Sequence, residues 1–66
     1  MNDEQKTAYL MAQVACMNAE VAGMVAENLQ RQISGHSLAY GEEAFANLPD
    51  KYGVHHNAVI TLFMED

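Results

Sequence analysis

The sequence predicts an all-α protein: a long N-terminal helix over about residues 3–33, a short helical hairpin over about 42–48 and 54–64, and two copies joined as a helical dimer. Three observations lead there. Residues 3–33 contain no proline and no cluster of turn formers, and they are rich in Ala, Met, Leu, Glu and Gln, which favour helix. Six alanines, Ala8, Ala12, Ala15, Ala19, Ala22 and Ala26, recur at alternating steps of four and three, the spacing of one helix face. Beyond residue 33, Gly35, Gly41, Pro49 and Gly53 cut the chain into short pieces.

The first helix has signals at both ends. Asp3 and Glu4 suit the positive end of a helix dipole, and Ser34-Gly35 supplies the stop, with Gly35 able to take a left-handed cap. A helix of about 30 residues is roughly 45 Å long. A compact chain of this size would be only about 28 Å across. Either the helix breaks, with Gly23 the natural place, or the molecule is elongated and shared with a partner.

The faces of this helix favour a partner. Leu10, Val14, Met17, Val21 and Met24 form an apolar seam beside the alanine seam, and Met11, Asn18 and Val25 form a looser third, with Leu29 following the alanine column. The one polar stripe is Gln13, Glu20 and Glu27, preceded by Lys6. A helix apolar around most of its circumference is buried rather than lying on a surface. The remaining half of the chain is too short to cover all of it, so the alanine seam is expected to pair with a second copy, antiparallel and two-fold.

The second half changes character. Residues 34–37 form a loop, and Leu38-Ala39-Tyr40 is placed to dock on the first helix. Glu42 to Leu48 reads as a short helix with acids in its first turn, which Pro49 ends or kinks. Residues 49–52 can restart as one turn with proline at its favoured first position. Gly53 breaks the chain again, and a final helix follows in which Val59, Ile60, Leu62 and Phe63 supply apolar contacts.

Composition narrows the function. Sixty-six residues make one domain (1–66) with a marginal core, so association or another staple is expected. Cys16 is the only cysteine, which rules out a disulfide within the chain; its neighbours Ala15, Met17 and Ala19 predict a buried thiol. The opening Met1-Asn2-Asp3-Glu4 lacks the basic region of a signal peptide, and no apolar run suffices to span a bilayer, so a cytoplasmic protein is expected. Nine acids against three bases give a net charge of −6, which argues against DNA and membrane surfaces and favours a basic protein partner. Glu20, Glu27, Glu42, Glu43 and Asp50 are the candidate partner-facing carboxylates.

Catalytic and metal signatures are lacking. Glu42-Glu43 has no evident pocket to separate two carboxyl pKa values. Ser34, Ser37 and Cys16 carry no nucleophile motif, and Gly23, Gly35, Gly41 and Gly53 form no phosphate loop. His55 and His56 are adjacent, so on a helix they point about 100° apart and do not readily share one ion. No enzyme activity, cofactor or metal is expected.

Two resemblances remain. The stretch from Phe45 to Val59, with Leu48, Tyr52-Gly53-Val54 and then Asn57-Ala58-Val59, resembles the helix-turn-helix of bacterial regulators. That resemblance implies that Leu48, Tyr52, Val54, Val59 and Leu62 fill interior positions, that Gly53 makes the turn, and that His55, His56 and Asn57 open a base-reading helix. It covers about a quarter of the chain. It departs at Pro49, where a small residue normally packs, and in the absence of Lys or Arg after Lys51. In size, charge and helical content the chain also resembles small acidic accessory proteins of phages and mobile elements, the anti-CRISPR inhibitors among them. That resemblance implies a protein that blocks a host nucleic-acid-handling protein. A DNA-binding regulator and a structural subunit of a larger assembly are the alternatives.

Overall fold

The computed structural model describes residues 1–64, and all regular structure among them is helical. Glu65 and Asp66, the acids that close the sequence, lie outside the described residues. α1 spans Asp3–Ile33, α2 Glu42–Ala46, α3 Leu48–Lys51 and α4 His56–Met64.

α1 has the expected limits and runs unbroken through Gly23. The molecule is therefore elongated, 51 × 18 × 10 Å, with a radius of gyration of 15.3 Å. A compact chain of this length would have about 11 Å. The helix is capped at both ends. The Asn2 side chain accepts from the Gln5 N–H at 2.8 Å, and the Gln5 side chain accepts from the Asn2 N–H at 3.0 Å. This reciprocal box satisfies donors that the first turn leaves free. At the other end Gly35 turns left-handed (φ +77°), so that the Gly35 N–H reaches the Gln32 carbonyl and the His36 N–H the Arg31 carbonyl. That pair of bonds is a Schellman stop.

The expected helix over 42–48 is two pieces. α2 ends at Ala46, and α3 begins afresh at Leu48 with Pro49 in its first turn, where a missing N–H costs nothing. A second Schellman stop closes α3. Gly53 is left-handed (φ +68°), its N–H bonds the Asp50 carbonyl, and the Val54 N–H bonds the Pro49 carbonyl. Val54 is thus used in the stop, and α4 starts at His56, two residues later than expected.

After the loop of residues 34–41 the chain returns antiparallel along one side of α1. Tyr40 is held near Asn28, Tyr52 near Glu20 and Gln13, and Phe63 near Lys6. Only that side is covered. Among the described residues the buried set is Met24, Leu48 and Lys6, at 5%, 4% and 4% exposure. Leu10, Met17 and Val21 of the Leu/Val/Met seam are half-buried beside Met24, while Val14 is exposed. Cys16, expected inside, is exposed, because the returning chain is one layer thick and does not wrap that far round the helix.

Candidate protein interaction surface

The side of α1 that meets the rest of the chain is the polar stripe together with Leu10, Met17 and Met24. Lys6, Leu10, Gln13, Met17, Glu20 and Met24 follow one another at steps of four and three, and none is exposed. A stripe of this kind is expected to face water or a partner. Here it faces inward, because the returning segment brings polar groups that need partners.

Each polar member has a specific task. The Gln13 amide donates to the Tyr52 carbonyl at 3.0 Å. Glu20 accepts from the Lys51 ammonium at 2.7 and 3.0 Å and from the Tyr52 hydroxyl at 2.5 Å. Tyr52 is therefore held at both its backbone and its ring end by residues two turns apart on α1. The Lys6 ammonium lies 5.8 Å from the Phe63 ring centre, a cation–π distance, while its stem is buried. One turn beyond Glu27, which pairs with Arg31 at 2.9 Å, the stripe ends.

Asn28 is a clamp that hydrophobic patterning gives no reason to single out. Its side-chain oxygen accepts from the Ala39 and Tyr40 N–H groups at 3.0 Å each, and its amide donates to the Tyr40 carbonyl at 2.8 Å. One side chain thus fixes the backbone of the docking segment that Leu38-Ala39-Tyr40 was expected to form.

The opposite side of α1 is uncovered. All six alanines of the expected pairing seam are exposed. Beside them Met11 is 68% exposed, Val25 52%, Leu29 56% and Ile33 78%. Thr7, Leu10, Met11, Val14, Ala15 and Asn18 line a shallow, mainly apolar depression that runs from the edge of the packed side, at half-buried Leu10, onto this one. A monomer of 7.3 kDa exposes about 4,200 Å² by the usual scaling. This chain exposes 4933 Å².

The candidate carboxylates divide. Glu20 is half-buried and committed to Lys51 and Tyr52, and Glu27 to Arg31. Glu42, Glu43 and Asp50 are exposed on α2 and α3 and, among the described residues, have no cationic partner. The chain matches no known family model, no curated protein and no solved structure. Among the described residues no three His, Cys, Asp or Glu side chains gather as metal ligands, and no helix is long and apolar enough to cross a membrane. His36, His55 and His56 are all exposed.

The Glu20 cluster is expected to make stability depend on pH at both ends. The Lys51 hydrogen bond, then that of Tyr52, lowers the Glu20 pKa below its usual value. The stability this confers is present above the ordinary carboxylate range and is lost as pH falls through the folded pKa. The bond to Glu20 raises the pKa values of both Lys51 and Tyr52. Their contribution is present below the ordinary values and is lost as pH rises through the folded ones. Thermal midpoints followed by far-UV circular dichroism across pH should fall at both limbs in the wild type. Glu20→Gln should lower the plateau and flatten both limbs; a profile identical to wild type would remove the cluster from the stability account.

Proposed function

We propose that the protein is a non-catalytic binding protein that acts by docking on another protein through its exposed surfaces. The observation that carries this reading is the uncovered side of α1, a strip of Met, Val, Leu, Ile and Ala facing solvent along the whole helix. Strips of this kind mark interaction surfaces.

The charge suggests what the partner looks like. Arg31 is taken up by Glu27 and Lys51 by Glu20, and Lys6 is buried. Among the described residues this leaves Asp3, Glu4, Glu42, Glu43 and Asp50 projecting without a cation. A basic, nucleic-acid-handling protein is the partner that such a surface fits, in keeping with the resemblance to small acidic phage-encoded inhibitors. Long-range attraction to such a partner weakens with added salt.

The test is quantitative capture by the tagged chain from a host lysate, compared with Glu42→Lys/Glu43→Lys/Asp50→Lys. Exposed ion pairs are worth about 0.2–1 kcal/mol each, so the triple reversal should weaken retention of a basic protein about tenfold. Equal capture by both forms would overturn the electrostatic docking.

A second reading, a helix-turn-helix regulator, draws on the left-handed Gly53 and on Leu48, Tyr52, Val54, Val59 and Leu62, all buried or half-buried as that resemblance implies. Against it, α3 is a single turn and α4 contains no Lys or Arg to meet phosphates. A mobility shift with duplex DNA at low salt separates the two.

A further inference from the structure

We propose that a second copy of this chain covers the outer side of α1, with the two α1 helices antiparallel. The inference deepens the binding reading above and rests on it: the strip on α1 takes a copy of the chain itself, and the exposed Glu42, Glu43 and Asp50 of α2 and α3 stay open to a basic partner. Three observations name the occupant.

The first is area. The exposed surface exceeds that of a typical monomer of this mass by about 700 Å². A stable interface of standard size takes about 800 Å² from each partner. One further helix of the same length is enough to cover the strip, and a second α1 supplies it.

The second is shape. The seam opposite the packed side of α1 alternates in size: Ala8, Met11, Ala15, Asn18, Ala22, Val25. In a parallel pair each residue meets its own counterpart, so alanine-on-alanine layers alternate with Met-on-Met and Val-on-Val layers. No single helix separation suits both. In an antiparallel pair with the two-fold axis between residues 16 and 17, Ala8 faces Val25 of the other copy, Met11 faces Ala22, and Ala15 faces Asn18. Every layer then holds one alanine and one larger side chain, which gives an even, close approach. Asn18, the polar member of the seam, falls next to the axis, and a single polar seam residue fixes register.

The third is charge. A parallel pair would set the two Asp3-Glu4 ends side by side. The antiparallel pair moves them to opposite ends and lays each positive helix terminus beside a negative one. With −6 on each chain, pairing strengthens as salt is added, the reverse of docking on a basic partner.

The test is oxidative cross-linking of the full chain in a Cys16→Ala background. Ala8→Cys/Val25→Cys should run as a covalent dimer on a denaturing gel. Ala8→Cys alone should not, because the two copies of residue 8 would lie about 25 Å apart along the axis. Ala15 is exposed on the uncovered side of α1, so Ala15→Glu should keep full helicity while abolishing the cross-link. Cross-linking through Ala8→Cys alone, or none in the double variant, overturns the antiparallel pair. If the double variant fails to cross-link but Ala15→Glu still loses a captured partner protein, the binding reading stands and self-pairing falls. If a helical Ala15→Glu changes neither, both fall.

Discussion

Leu48→Ala is expected to unfold the C-terminal half of the protein at temperatures where the wild type is intact. Leu48 and Met24 are the two buried hydrophobic residues among those described, at 4% and 5% exposure. The returning segment is pinned to Asn28 through Tyr40 and to Glu20 through Lys51 and Tyr52, so Leu48 lies along the stretch of α1 that contains Met24. Truncating a buried leucine costs about 2–5 kcal/mol. A chain of this length holds only about 3–10 kcal/mol in total. For so small a domain each kcal/mol moves the midpoint by about 4–8 °C. A shift of at least about 8 °C is therefore expected in thermal melts, with α1 keeping residual helicity. A change under about 2 °C would show that Leu48 is not a core residue.

Gly53→Val is expected to be the most damaging substitution outside the core. Gly53 has φ +68°, and its N–H and that of Val54 close α3 against Asp50 and Pro49. Nothing lies within 4 Å of where a Cβ would stand, so steric clash is not the cause. The cost is the backbone conformation, about 1–2 kcal/mol for an ordinary side chain and more for a β-branched one. Gly53→Asn, which tolerates left-handed geometry, should cost less than Gly53→Val, and chemical denaturation can rank the two. Equal stabilities for valine, asparagine and glycine at this position would mean that α3 ends in some other way.

Much of this architecture is legible in the residues. The limits of α1 follow from an uninterrupted run of helix formers and from Ser34-Gly35, and the left-handed turn at Gly53 follows from a glycine between two apolar stretches. The inward face of α1 is not legible in the same way. Hydrophobic periodicity places Leu10, Met17 and Met24 inside, and they are covered, but it also turns Gln13 and Glu20 towards water. The reason lies in the other half of the chain. The loop of residues 34–41 and the ends of helices of four and five residues leave backbone carbonyls and N–H groups without helical partners. Those of Ala39, Tyr40 and Tyr52 are met by Asn28 and Gln13. Such side-chain to backbone bonds have no periodic signature. Cys16 follows the same logic: of its apolar neighbours Met17 is covered, but Ala15 and Ala19 face away from the returning chain, and the thiol is left exposed at the edge of the covered side. Glu20, a candidate for contact with a partner, also holds Lys51 and Tyr52 within the chain, a role that only the position of Tyr52 makes visible.

The pairing proposed above takes the outer side of α1 out of solvent in the working protein. Light scattering coupled to gel filtration, at micromolar concentration and moderate salt, addresses it most directly. The predicted mass is twice the 7.3 kDa of the single chain, rising in dimer fraction with salt, and Ala15→Glu should return the single-chain mass. A fully helical species of 7.3 kDa at every salt concentration would contradict the claim.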